Sequence, residues 1–200
     1  MTKTDRFVLT LTVTLVLTML LLSFDGFAAH CAFIRQNTLR LHIIANSDDV
    51  ADQRNKLLVR DALLENYGQV LGGATAEQAA QFAEFLRDDI TKTAKKTLLA
   101  QGDDHAVAVS VTDMYFDTRV YDDGLTLPAG EYTALRVVIG DGEGKNWWCV
   151  MYPPLCIPVA TQQQADEITE QIRALNAQPS YQAKFAVVEV FEKLTAKFRE

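Results

Sequence analysis

The chain has 200 residues, 48% of them hydrophobic, which suffices for one ordinary core. Its 26 acidic residues against 19 basic ones give a net charge of −7 with no basic run, so the electrostatic footprint of a phosphate-backbone binder is missing and no nucleic-acid partner is expected. No internal repeat, low-complexity tract or Gly/Pro/Ser-rich linker divides the sequence.

At the amino terminus Lys3 and Arg6 precede an uncharged run from Phe7 to Phe24. A basic start followed by an apolar stretch approaching the hydrocarbon thickness fits a signal peptide or a membrane anchor, basic end cytoplasmic. Gly26, Phe27 and Ala28 offer the small-x-small form for cleavage after Ala28; left uncut, Phe7 to Phe24 would stay in contact with the membrane. Residues 1–28 are therefore expected to be signal or anchor, and 37–200 a single exported domain. Cys31 invites a lipoprotein reading, but His30 before it is bulkier than that processing tolerates.

Leu39, Leu41, Ile43 and Ala45 alternate with Arg40, His42, Ile44 and Asn46, the pattern of a strand whose far end turns polar at Asn46, Ser47, Asp48 and Asp49, and Asn46, Ser47 or Asp48 can cap a following helix. That helix carries Val50, Leu57 and Leu64 at two-turn spacing, with Asp52 and Lys56 as an i,i+4 pair, and is expected to stop near Gly68. Thr75 and Gln78 form a capping box opening one helix whose apolar face runs Ala79, Phe82, Ala83, Leu86, Ile90, Ala94 and Leu98, ended by Gly102. Strands are expected over His105 to Phe116 and Tyr132 to Ile139, with a turn at Asp122, Asp123 and Gly124 between them. Gly140 to Gly144 then reads as a hairpin turn into the Trp147 strand, giving an antiparallel unit of three strands. Helical patterns return after Thr161, the last with Val187, Phe191, Leu194 and Phe198 on one face, although Lys184 to Val190 also passes for a strand. The fold class is α+β, a largely antiparallel sheet packed by helices behind the amino-terminal helix.

Chemistry concentrates between Glu131 and Cys156, which holds both tryptophans and two of the three cysteines. Trp147 and Trp148 point to opposite faces of a strand, so one enters the core and the other is left for the terminal helices or a partner. Arg40, Arg60, Asp61 and Arg136 form either an ion-pair network or, if they surround an indole, a patch of interface character. Cys149 and Cys156 are close enough to close a disulfide loop through Pro153 and Pro154, or else are small buried hydrophobes. A thiol enzyme would need Cys149 beside His42 as its base, oriented by Asn46 or Asp48, and nothing in the spacing brings the thiol there. His30, His42 and His105 are scattered and no HExxH or paired CxxC occurs, so neither metal nor cofactor is expected.

Two blocks carry a resemblance. The first is Arg40-Leu41-His42-Ile43-Ile44-Ala45-Asn46-Ser47-Asp48 followed by Asp52, Gln53, Lys56, Leu57, Val59, Arg60 and Asp61; the second runs from Tyr132 through Arg136 and Gly140 to Gly144, Lys145, Asn146, Trp147, Trp148, Cys149, Pro153, Pro154 and Cys156. In this order, behind an export segment, they resemble the stage II sporulation protein R family. The resemblance implies a signalling protein of endospore-forming bacteria, made in the forespore and exported to the space facing the mother cell. There it activates a membrane-bound aspartic protease that matures a sigma-factor precursor, and it needs no active site of its own. Partner contacts are then sought at Arg40, His42, Asn46, Asp48, Arg60 and Asp61 in the first block. The second block adds Arg136, Asn146, Trp147, Trp148, Pro153 and Pro154. The rival reading is an exported thiol or hydrolytic enzyme of the cell envelope; a third is an envelope structural domain.

Overall fold

In the computed structural model, which describes residues 2–72, 75–121, 125–155, 163–177 and 181–197, one strand organises the molecule. β1 (Leu39–Ile44) is buried at all six positions, the signature of an interior strand covered on both faces. β2 (Val107–Phe116), β5 (Gly130–Ile139) and β6 (Asn146–Tyr152) join it in a four-stranded sheet of order β2-β5-β1-β6, while β3 (Arg119–Val120) and β4 (Thr126–Leu127) make a separate two-stranded ribbon. β5 runs parallel to β1 and antiparallel to β2, and β6 is antiparallel to β1, so the α+β class with a largely antiparallel sheet holds.

The expected hairpin does not form. β1 lies between β5 and β6, and the Gly140–Gly144 segment crosses the end of β1 instead of joining neighbours. The reason lies in β1: a strand buried on both faces must also have both edges paired, and β5 and β6 supply those ladders. The crossing loop is fastened to the end of β1, with Gly144 N donating to Ala45 O and Glu143 N to Asn46 O, both at 3.0 Å. At Gly144 a Cβ would stand 2.2 Å from Ser47 O, and at Gly140 (φ +57°) it would meet the Asn46 side chain, so both positions need glycine.

Helices α1 (Lys3–Gln36), α2 (Val50–Gly72), α3 (Ala76–Phe85), α4 (Arg87–Leu99), α5 (Gln163–Asn176) and α6 (Tyr181–Lys197) complete the fold. Leu39, Leu41, Ile43, Leu135, Val137, Cys149 and Met151 meet them in one core. α1 is long and apolar enough to cross a membrane, and its exposed half includes Phe7, Leu11 and Leu15. It runs on through Ala28, and its last turns bury Phe27, Cys31 and Ile34 in the core, Phe27 edge-on to Phe185 of α6.

Helix limits and faces depart from the pattern where polar residues are satisfied inside. α2 continues past Gly68 and buries Val59, Leu63 and Leu71, with Leu57 and Leu64 half-buried and Val50 exposed in the first turn. Asn55 and Lys56 share that inward face because each finds a partner: Asn55 Nδ2 donates to Asp103 Oδ2 (2.7 Å) and Lys56 Nζ to Lys145 O (2.7 Å). Lys56 is thus not paired with Asp52, whose carboxylate accepts from Asn46 and Ser47. The expected helix after Thr75 keeps its capping box but breaks at Leu86, since α3 lies on β1, β2 and β5 while α4 follows α2 and β2. α6 is helical through Lys184 to Val190, but Phe185 and Val188 face inward while Val187 and Leu194 are exposed, the contact with Phe27 setting its rotation; Phe198 lies outside the described residues.

Candidate functional site

On the second face of the sheet Arg40, His42 and Ile44 of β1 alternate with the core-facing set. Arg40 is fully buried. Its guanidinium carbon sits 4.1 Å from the Phe116 ring centre and 4.9 Å from that of Tyr132, and Nη2 donates to Tyr121 Oη at 2.5 Å. Nε and Nη1 have no hydrogen-bond partner, and among the described residues no carboxylate pairs with Arg40. Burial pushes its pKa down from the usual arginine range.

Beside it His42 stacks on Trp148, ring centres 3.9 Å apart and 9° from parallel, with Phe116 edge-on to the indole at 4.9 Å. His42 Nε2 lies 3.0 Å from Asn146 Oδ1. Burial holds the imidazole below its ordinary pKa, against the Asn146 contact and with help from the charges of Arg136 and Arg40. Arg136 is half-buried on this face, between His42 and Ser110 in register.

Trp148 and Trp147, on opposite faces of β6, both reach a cleft of about 690 Å³ between α2 and β3. Arg60 of α2 lies over Trp147 with its guanidinium carbon 4.4 Å from the ring centre, and its Nη2 pairs with Asp61 at 2.6 Å. Arg119 of β3 approaches Trp148 from the other wall, at 5.7 Å. Trp147 Nε1 is buried and finds no acceptor among the described residues.

The structure therefore brings Arg60, Asp61, Asn146, Trp147 and Trp148 into one cleft, with Arg40 and His42 directly behind it. Asn46 and Asp48 belong elsewhere: Asn46 Oδ1 accepts from Asp141 N (3.1 Å) and Asp48 Oδ1 from Lys145 N (2.8 Å), clamping the crossing loop. Pro153 and Pro154 are buried at the end of β6, Pro154 against Gly72. Sequence reasoning missed Arg119 and Tyr121, because a two-residue strand and the residue after it have no periodicity to read, and it gave Phe116 no role beyond the end of its strand.

Cys149 is buried and disulfide-bonded, and Cys31 is a free, buried thiol; Cys156 lies outside the described residues. In this oxidised form Cys149 has no thiolate to serve as a nucleophile, and His42 is engaged by Trp148 and Asn146. Asp52, Asp103 and His105 place ligand-type atoms within 4.8 Å of one another. Hydrogen bonds account for them: His105 Nδ1 lies 2.6 Å from Asp103 Oδ1, a contact that raises the His105 pKa, and Asp103 also holds Asn55 of α2.

Fold and site together define an α+β domain behind an apolar helix of the kind that leads or anchors an exported protein, with an arginine-lined aromatic cleft. The chain belongs to the stage II sporulation protein R family, whose sequence profile matches residues 35–164, and that membership supports a sporulation role. It is similar to the stage II sporulation protein R of Bacillus subtilis (strain 168), with 36% identity over 124 residues, 62% of this chain and 55% of that protein. The chain thus spans about half the length of this curated relative. No solved structure matches it.

Proposed function

We propose that the protein is an exported, non-catalytic ligand, delivered from the forespore into the space facing the mother cell, that activates a membrane-bound aspartic protease and so triggers maturation of a mother-cell sigma-factor precursor. The observation that carries this reading is the cleft itself: Trp147, Trp148, Arg60 and Arg119 are the residue types that dominate protein interfaces, gathered in a member of a sporulation family. A ligand activates only by binding the active state of its partner more tightly than the inactive one, and a rigid aromatic surface offers that differential contact. The disulfide at Cys149 and the stacking of His42 weigh against a thiol enzyme.

The test is reconstitution in a non-sporulating host. The full chain is coexpressed with the membrane protease and the sigma-factor precursor, and precursor cleavage is followed for wild type, Trp148→Ala and the His42→Ala/Cys149→Ser double variant. Cleavage with wild type and with the folded double variant, and its loss with folded Trp148→Ala, is expected. Cleavage abolished in a folded, exported double variant favours the enzyme reading, and absence of cleavage with wild type removes the proposed function.

A further inference from the structure

The cleft has more hydrogen-bond donors than acceptors. Arg40 is a buried cation whose hydrogen bond goes to a neutral phenol, and among the described residues its Nε and Nη1 find no partner and the buried Trp147 Nε1 no acceptor. Buried polar groups are normally satisfied, and a buried charge is normally paired, so each orphan calls for an account. Arg119 adds a second cation with no carboxylate partner among the described residues. Asp61, the acid in the wall, is already bound to Arg60. The sheet face behind the cleft has the same bias: Arg40, His42 and Arg136 lie on it, and the positions of β1, β2, β5 and β6 that share it include no Asp or Glu. This local excess of positive charge stands within a chain of net charge −7.

We propose that the cleft is the docking site for an acidic segment of the partner protein, whose carboxylate is received by Arg119 at the rim and by Arg40 in place of the Tyr121 hydroxyl. Tyr121 lines the cleft and holds Arg40 from within it, so its hydroxyl marks where an acceptor reaches the guanidinium. Displacing the Tyr121 hydroxyl frees Nη2, which with either orphan N–H, Nε or Nη1, forms the fork that pairs with a carboxylate through two parallel hydrogen bonds. Apolar side chains flanking the carboxylate would rest on the indole of Trp148 and on Leu64. This inference rests on the ligand reading above and names the chemistry that the ligand recognises.

Both tryptophans of the chain line the cleft, so intrinsic fluorescence reports its occupancy without a label. The full chain in detergent is titrated at low salt with a capped Leu-Glu-Phe-Glu-Leu peptide and with its Gln-for-Glu counterpart. The expected result is binding of the Glu peptide about tenfold tighter than the Gln peptide, a preference that falls below about twofold in Arg119→Glu and in Arg40→Met and weakens with salt. Arg119→Glu alters an exposed residue, so it remains informative if Arg40→Met does not fold. Equal binding of the two peptides, no response to either, or a preference that survives Arg119→Glu overturns the inference. So does a fluorescence change driven by protein concentration alone, which would mean that a second copy fills the cleft. Protease and precursor are absent from this titration, so its failure and a failure to cleave the precursor are separate results.

Discussion

If Arg40 is kept for an external carboxylate, replacing it with methionine will not unfold the domain. The native terms lost are one hydrogen bond from a charged donor to Tyr121, about 1.5–3 kcal/mol, and two close ring contacts, with Phe116 and Tyr132, worth about 2 kcal/mol each when desolvated. Against these stands the desolvation of a fully buried guanidinium, several kcal/mol even after relaxation, with no carboxylate among the described residues to offset it. Methionine refills much of the volume with apolar contact. The two sides are similar in size, so the expected change lies between zero and about 2 kcal/mol of added stability, the lower part of the range from neutral to about 4 kcal/mol seen when buried ionic groups give way to hydrophobes. With a urea m-value of about 2 kcal/mol/M, the unfolding midpoint of Arg40→Met should stay in place or rise by up to about 1 M, followed by tryptophan fluorescence on the full chain in detergent. Precursor cleavage should fall at the same time. A midpoint lowered by about 1.5 M or more would refute the reasoning, because removing one partner of a paired buried charge costs about 3–5 kcal/mol.

Other expectations follow from the same contacts. Gly144→Ala drives a Cβ into Ser47 O and breaks the bonds that hold the crossing loop on β1, costing about 2–4 kcal/mol by urea midpoint; an unchanged midpoint would mean that the clamp is not structural. The two histidines give pH effects of opposite sign. His42 has a folded pKa below its ordinary 6.5, so its contribution is full above that value and is lost as pH falls through the folded pKa; His105, raised by Asp103, contributes fully below 6.5 and loses its part as pH rises through the folded pKa. Urea midpoints between pH 7.5 and 5 should therefore fall less on acidification in His42→Gln than in wild type and fall more in His105→Gln, the latter change being small because the His105 side chain is 40% exposed and its pairing is screened by solvent; parallel profiles would contradict both assignments. Trp148→Ala should reduce precursor cleavage by about tenfold or more while Phe85→Ala, exposed on α3, leaves it unchanged, and equal effects would remove the cleft from the contact.

Local patterning located most elements, because alternation and capping act within a few residues: β1, the Thr75 capping box and the strands ending at Phe116 and Ile139 are where the spacing predicts them. What it did not reach was the order of strands. Gly140, Gly142 and Gly144 look like a hairpin turn, and only the burial of both faces of β1 and the pairing of both its edges explains why that strand enters between β5 and β6. The same limit applies to helix faces, since Asn55 and Lys56 are admitted to the inward side of α2 by Asp103 and Lys145, partners far away in sequence.

The site follows the same division. Trp147, Trp148, Arg60 and Asp61 were legible because adjacent indoles on a strand cannot share a face and charges near them need a reason. Asn46 and Asp48 read equally well as contacts, yet they hold the crossing loop, and that task accounts for their place in the first block without any partner. Arg40 is a different case: the sequence marks it as a charged residue on a strand, but that it is buried among three aromatic rings with two donors unpartnered among the described residues appears only in the fold. A strand residue that is costly to bury and finds no carboxylate among the described residues is the place where stability and recognition part company, which is why the stability of Arg40→Met and its effect on cleavage should be measured on the same protein.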